Sequence, residues 1–526
     1  MGNNLSGLSP RAVWEQFEAI TRVPRPSKKE ERIVAWLVDF AVKHGLAYRK
    51  DAIGNVVICK PATAGMENRP TVVLQNHVDM VCEKNSDALN AAGEPFDFER
   101  DAIRPFVTEE GWVKAHGTTL GADNGIGMAM ALALLLDADA AHGPLEALFT
   151  VDEETGLTGA FELGEGAITG TASGSGDAQT SGAMITGKYL INLDSEDEGE
   201  VFIGCAGGVD TLAYFDFARE AAPASGFSFF EIKVSGLKGG HSGDDIDKGR
   251  GNSNRILARA LSVGLRDFGL RLAAIDGGNL RNAIPREACA VVAVPQDSAA
   301  DFASFVEKFA DDVRAELAYS DAGVVVALKP AAAASNLSGA ATEKSPAEVI
   351  DTYSVRRLVG ALLGVRCGVQ AMSFAMPGLV ETSTNLASVK MSPGSATASG
   401  QIVVTTSQRS SVESAKKAVA EAVGAVFELA GARVEHSEGY PGWAPNPGSH
   451  LLKVTEKAYE KLFAKPVKVR AIHAGLECGL FLERFPEMDM ISTGPTIREV
   501  HSPDEKIEIA TVEKSWLLLL EILRTL

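Results

Sequence analysis

The chain has 526 residues, 45% hydrophobic and 23% charged, with a formal net charge of −19. That length exceeds one hydrophobic core, so two or three domains are expected. The composition is that of an ordinary globular protein, and the excess of acid argues against a nucleic-acid or anionic-membrane partner. Cys59, Cys82, Cys205, Cys289, Cys367 and Cys478 are scattered, with no C-x-x-C pair. They form neither a disulfide framework nor a zinc–thiolate site, and a reducing, cytoplasmic compartment fits them best. No apolar signal-peptide core opens the chain. The longest apolar run, Met128 to Leu136, is too short to span a bilayer. Met1-Gly2-Asn3-Asn4-Leu5-Ser6 fits the N-myristoylation pattern. It would count only in a eukaryotic host, and no basic cluster or early cysteine supplies the second signal that stable anchoring needs.

In chain order, Pro10 to His44 reads as two amphipathic helices around the break Val23-Pro24-Arg25-Pro26. Short buried strands follow at Asn55 to Cys59 and Thr71 to Gln75. The segment from Asn124 to Asp137 is nearly all apolar and reads as a buried helix. Strands at Ala147 to Val151 and Tyr189 to Leu193 complete an alternation typical of α/β layers. Gly164 to Gly187 has no hydrophobic period and reads as a flexible surface insertion; Ala331 to Pro346 is a second one. From about Gly208 the texture changes. A strand at Phe227 to Val234, a helix at Asn252 to Leu265 and a strand at Ala288 to Val294 precede a similar order at Gly400 to Thr406 and Val412 to Leu429. These read as two β-α-β-type halves of a second domain inserted into the first. The turn Gly439-Tyr440-Pro441-Gly442-Trp443 signals the return. A helix at Leu451 to Phe463, a strand at Met488 to Ser492 and a helix at Thr511 to Leu523 close the chain. The expected boundaries are 1–207 and 437–526 for the first domain and 208–436 for the insert.

Polar residues collect where apolar strands end. His77 and Asp79 follow one strand, Asp123 opens a helix after Gly117-Thr118-Thr119-Leu120-Gly121-Ala122, Glu153 and Glu154 follow another strand, and Asp194 a fourth. His501 lies in Val500-His501-Ser502-Pro503-Asp504-Glu505. Singly each has a bland explanation: Asp123 as a helix N-cap, Glu153-Glu154 as a solvated pair, His77 as a core histidine. Jointly, two histidines and three carboxylates suit two zinc-like divalent ions sharing one carboxylate. In open α/β sheets, ligands bind outside the carboxyl ends of the strands.

Over essentially its whole length the sequence resembles the M20 metallopeptidases, and within them the Xaa-His dipeptidase branch. The resemblance rests on Asn76-His77-Val78-Asp79-Met80-Val81, Gly117 through Gly127, Asp152-Glu153-Glu154-Thr155-Gly156 and Leu193-Asp194-Ser195-Glu196. Further on it rests on Gly239-Gly240-His241-Ser242-Gly243, Leu280-Arg281-Asn282-Ala283-Ile284-Pro285, His473-Ala474-Gly475-Leu476-Glu477 and His501-Ser502-Pro503-Asp504-Glu505. It implies an α/β, mixed-sheet zinc-peptidase catalytic domain with an inserted α+β lid and dimerisation domain. It also implies roles. Asp123 would bridge two divalent ions, zinc in the first place and manganese or cobalt as substitutes. His77 and Asp194 would complete one metal site, Glu154 and His501 the other. Asp79 would fix the ring of His77, and Glu153 would be the general base. His241 would help hold the reacting carbonyl oxygen, while Asn282 and Arg409 would receive the substrate's C-terminal carboxylate, for which an arginine fork is suited. His473 and Glu477 would lie in a substrate-site loop, and the peptide after Asp123 would be cis. The implied reaction is hydrolysis of Xaa-His and other dipeptides with a free C-terminus, by a cytoplasmic homodimer. The rivals are amino-acid deacylation or carboxypeptidase action on the same metals, and a non-catalytic metal-binding scaffold.

Overall fold

The computed structural model describes residues 5–171, 178–179, 183–223, 225–331, 348–392 and 400–526. It divides into two compact units, one of Met1–Gly204, Pro445–Ala471 and Leu476–Leu526, the other of Cys205–Ala444 and Ile472–Gly475. The Gly2 motif lies outside the described residues, as does the second expected insertion beyond Ala331. Among the described residues no helix is long and apolar enough to cross a membrane.

The first unit is built on a ten-stranded mixed sheet. At its centre Asp489–Ser492, Tyr189–Asn192, Val72–His77 and Leu145–Thr150 run side by side in parallel. Val72–His77, Leu145–Thr150 and Tyr189–Asn192 are buried along their whole length. Parallel strands covered on both faces need such unbroken apolar runs, which is why these segments show no alternation. The Ala122–Leu136 helix is buried on nearly every side and packs against Arg11–Thr21. That second helix turns Val13, Trp14, Phe17 and Ile20 inward, the spacing of a single helical face.

One expectation is corrected here. The segment from Gly164 to Gly187 supplies edge strands rather than only a loose loop. Thr169–Thr171 pairs antiparallel with Ala47–Lys50, and Ala178–Gln179 pairs with it in turn. Backbone pairing at a sheet edge needs no hydrophobic period. Close approach replaces it, since a Cβ on Gly170 would come 2.1 Å from the Tyr48 carbonyl oxygen. Met184 and Ile185 then return to the core. Residues 172–177 and 180–182 of this segment lie outside the described ones.

A small four-stranded sheet of Ile497–Arg498, Lys506–Glu508, Trp112–Ala115 and Pro105–Val107 completes this unit. It holds two loops: the one with His501, between its first two strands, and the one that runs from Ala115 to Asp123.

The second unit is a nine-stranded sheet whose pairs are all antiparallel. It contains two split β-α-β halves, one nested in the other. The inner half runs Phe227–Ser235, helix Ser253–Asp267, Arg271–Gly277, Ala288–Pro295, helix Gln296–Glu316 and Val325–Pro330. Around it in sequence run Gly207–Phe217, helix Thr352–Gly364, Val380–Ser392, Gly400–Ser410, helix Glu413–Leu429 and Arg433–His436. The halves join where Gly277 pairs with Val389. Beneath them lies one apolar core that includes Ile232, Leu257, Phe302, Leu358, Val404 and Phe427.

Candidate metal centre and anion cluster

In the first unit the sequence places polar side chains at the carboxyl ends of the central strands, and the fold brings them together. His77 ends its strand and is 1% exposed. Its Nε2 lies 3.0 Å from Asp123 Oδ1 and 3.3 Å from Asp194 Oδ1. His501 Nε2 lies 3.2 Å from Asp123 Oδ2 and 3.0 Å from Glu154 Oε2. Asp123 thus turns one carboxylate oxygen to each ring. Asn124, joined to it by a cis peptide, donates its amide N–H to Asp194 Oδ1 at 2.5 Å. His501 sits in a left-handed backbone conformation, φ 59°, which costs a non-glycine residue about 1–3 kcal/mol and is tolerated chiefly at functional sites.

The donor set fits divalent cations. His77, Asp123 and Glu154 offer ligand atoms that all lie within 4.8 Å of one another. Glu154 Oε1 is buried without a partner. Carboxylate oxygens and imidazole nitrogens are the donors that zinc takes in catalytic sites. The electrostatics agree. Contacts with Asp123 and Glu154 push His501 up to about 11. Burial works to lower His77, but Asp194, Asp123 and Asp79 outweigh it and hold the ring well above its ordinary range. Burial works to raise Asp123, and the two histidines outweigh that and hold it low. Asp194 is pushed up to about 6, by burial first and by the charges of Asp123 and Glu154. Such a concentration of buried negative charge is what a cation neutralises.

Asp79 lies behind this group and is fully buried. Its Oδ1 is 3.3 Å from His77 Nδ1. The same carboxylate accepts the backbone N–H groups of Glu153 and Glu154, at 3.1 and 3.3 Å. Asp79 therefore touches both the ring and the turn that presents the two glutamates. Asp152, at φ 51°, shapes that turn: its carboxylate accepts from the hydroxyls of Thr155 and Thr158, and its N–H donates to Glu30. Glu30, Asp79 and Asp152 form a second cluster of buried acids, but these N–H and hydroxyl donors already occupy them. Burial, opposed by His77 and reinforced by Asp194, Glu154 and Glu477, holds the Glu153 carboxyl well above the usual carboxylate range.

Glu477 opens the Glu477–Arg484 helix and is 1% exposed. Its Oε2 accepts from Gln75 Nε2 at 2.5 Å and Thr150 Oγ1 at 3.0 Å. Gln75 accepts in turn from Asn192, and Asn192 from Ser492. This residue belongs to a buried polar network across the central strands, and burial pushes its carboxyl up to about 8.

The remaining candidates gather in the second unit. Gly240–His241 pairs with Ala283–Ile284, and the Ser242 N–H donates to the Asn282 carbonyl at 2.8 Å; the Asn282 side chain is exposed. Backbone N–H groups of Gly243 and Asp244 point at His241 Nδ1, at 3.3 and 3.2 Å. Arg409, on the Gly400–Ser410 strand, is only 6% exposed. Its neighbours are Tyr440 Oη at 3.0 Å, Ser242 Oγ at 3.4 Å and His241 Nε2 at 3.4 Å. No carboxylate among the described residues forms an ion pair with it. His473 Nε2 lies 2.7 Å from Ser383 Oγ, and burial and then the charge of Arg409 push this ring down to about 4. Asp244 senses the charge of Arg409 without pairing with it, and a buried guanidinium so placed can receive an anion.

Sequence reasoning gave no role to Arg25, Glu505, Tyr440 or Ser242. Glu505 and Ser242 stand inside motifs already singled out, and Tyr440 and Arg25 inside Pro-rich breaks. Only the fold reveals what they touch.

Comparison with known proteins identifies the family. The profile of peptidase family M20/M25/M40 matches residues 73–525. Over 522 residues the chain is 42% identical to the cytosol non-specific dipeptidase of Escherichia coli (strain K12), spanning 99% of each. The crystal structure of aminoacylhistidine dipeptidase from Vibrio alginolyticus matches with a TM-score of 0.84 at 41% identity, over 99% of this chain and 98% of that one. Aminopeptidase PepT from Bacillus cereus, 16% identical with a TM-score of 0.57 over 98% of each chain, shares the fold. By its match to the family model and its identity to these relatives, the chain belongs to peptidase family M20/M25/M40 and is a hydrolase.

Proposed function

We propose that the protein is a dinuclear metal dipeptidase of broad specificity that accepts Xaa-His among other dipeptides with a free C-terminus. The observation that carries this reading is Asp123, whose two oxygens face two separate histidine–carboxylate groups. In this reading His77 and Asp194 hold one ion, His501 and Glu154 the other, and Asp123 both. Bound there, divalent cations would supply Lewis acidity to the peptide carbonyl and to water. Glu153, kept basic by its surroundings, takes a proton from the attacking water and returns it to the leaving amine. Asp79 orients His77 and, through its two backbone contacts, aims Glu153. His241, whose Nδ1 faces two backbone N–H groups and whose Nε2 faces Arg409 Nη2 in this structure, would donate a ring N–H to the developing oxyanion on turning to the substrate. Arg409, assisted by Tyr440 and Asn282, receives the C-terminal carboxylate; His473 and Glu477 support the two clusters from behind. The 208–436 segment acts as lid and dimerisation domain, closing on the substrate to exclude water.

Zinc is the favoured ion, since imidazole and carboxylate donors suit it; the cytoplasm is the favoured compartment and a homodimer the favoured assembly. The names of the two relatives above 40% identity support the dipeptide substrate and the cytosolic setting. The test is a panel of dipeptides, amidated dipeptides and N-acyl amino acids, assayed after chelation and after return of zinc, manganese or cobalt. Free dipeptides should be cleaved only with metal. Full activity in metal-free protein refutes the mechanism, and preference for N-acyl amino acids transfers the chain to the deacylase reading. Light scattering in solution decides the dimer.

A further inference from the structure

Two buried ions of opposite charge, neither of them a candidate ligand, grip the backbone around Asp123. Arg25 lies between the first two helices, where Pro24 and Pro26 interrupt the chain, and is 2% exposed. Its Nη1 donates to the carbonyls of Val78 and Asp79 at 2.9 and 2.8 Å, and its Nη2 to the carbonyl of Gly121 at 2.6 Å. Glu505 is also 2% exposed. Its Oε2 accepts the N–H groups of Leu120 and Gly121 at 2.7 and 2.9 Å, and its Oε1 those of Ala122 and Asp123 at 2.7 and 3.3 Å. Gly121 is therefore held from both ends, its N–H by the carboxylate and its C=O by the guanidinium. The fit is close. A Cβ on Gly121 would meet Arg25 Nη2 at 2.5 Å, and one on Gly125 would meet it at 2.8 Å. Gly121 also occupies the left-handed region, φ 68°, where glycine is unstrained.

These contacts connect three segments that lie far apart in sequence. Arg25 links the turn after His77 to the turn before Asp123. Glu505 links the turn before Asp123 to the loop that begins at His501. Desolvating two full charges costs several kcal/mol each unless hydrogen bonds replace the lost water; here every replacement is a backbone group of a ligand-bearing turn. An apolar pair would fill the space without fixing those turns.

We propose that Arg25 and Glu505 are positioning residues that set the spacing of His77, Asp123 and His501, and that metal retention depends on both. The proposal rests on the metal-dependent reading above. The test compares the full-length parent with Glu505→Gln, Glu505→Asp and Arg25→Lys. Bound zinc is measured at graded free zinc, melting of the metal-free proteins by circular dichroism, and kcat and KM on a dipeptide at saturating zinc. Glu505→Gln turns an amide N–H₂ toward backbone N–H groups, and Arg25→Lys cannot span both turns. Each should weaken zinc retention about 10–100-fold, the usual loss when a group supporting a ligand is removed, while KM at saturating zinc stays close to the parent's. Glu505→Asp, which keeps the charge, should fall between. A merely structural role lowers melting but leaves the zinc affinity of the folded protein unchanged, and that result overturns the proposal. Should one variant not fold, the others decide by the same reading. A parent that binds no zinc overturns the metal reading and this role with it. A parent that binds zinc beside variants that bind it equally well overturns the positioning role alone.

Discussion

In the unit that carries His77 and His501, three carboxylates crowd around two imidazoles, with both Asp123 oxygens, Asp194 Oδ1 and Glu154 Oε2 facing a ring nitrogen. In the unit that carries His241 and Arg409, the hydrogen-bond-range side-chain neighbours of a buried guanidinium, among the described residues, are two hydroxyls and a histidine ring, and its charge is felt by Asp244 nearby. The first cluster has surplus negative charge and calls for a cation. The second holds a buried guanidinium that no carboxylate among the described residues pairs with directly, which suits an anion.

The sharpest way to break this comparison is at the base. Glu153→Gln should lower kcat by about 10²–10⁴-fold with metal content unchanged, because general-base catalysis is lost while the ligands remain. Glu154→Gln should instead reduce bound metal. Elemental analysis beside kinetics separates the two, and the opposite pattern would exchange their roles. Next in size is His241→Ala. Loss of an oxyanion donor costs about 10²–10³ in kcat, so kcat should fall far more than KM rises. An unchanged kcat removes the histidine from the chemistry.

Arg409→Ala addresses the anion side directly. Loss of a charge-assisted, two-pronged partner is worth about 1.5–3 kcal/mol, or about ten- to 150-fold in KM. Amidated dipeptides should not distinguish variant from parent, and a parent that cleaves free and amidated dipeptides equally well would show that no carboxylate is bound there. Tyr440→Phe should show the same selectivity with a smaller change. The mildest effect concerns stability alone. His473 is held neutral down to about 4, below its unfolded value of about 6.5. Between those values the unfolded chain binds the extra proton, so stability contributed by this ring is present above pH about 6.5 and is lost as pH falls toward 4. In His473→Gln, urea midpoints should decline less steeply over that window and be parallel to the parent's above it. Identical slopes would mean that the ring is not buried in its neutral form.

The cluster proposed to hold metal was legible in the sequence because most of its residues sit at strand ends, and an apolar run followed by His or Asp is a local signal. The same holds for the helix Ala122–Leu136, whose composition alone announces burial. What escaped depends on contacts between distant segments. Four N–H groups converge on Glu505 only once the loop near residue 120 meets the loop near residue 505. Arg409 entered through the family resemblance, but its burial comes from the flanking strands at Gly208 and Ser383, which its neighbours in sequence do not announce. The Thr169–Thr171 strand carries no hydrophobic period, because backbone pairing to Ala47–Lys50 defines it.

The first unit is discontinuous, and that sets an order of events during synthesis. His77, Asp123, Glu154 and Asp194 leave the ribosome early. The Asp489–Ser492 strand, which pairs with Tyr189–Asn192, emerges some three hundred residues later, and His501 and Glu505 follow it. Until then the central sheet lacks an interior neighbour and the loop before Asp123 lacks its carboxylate clamp. A nascent chain therefore carries His77, Asp123, Glu154 and Asp194 well before the strand and the loop that complete their surroundings.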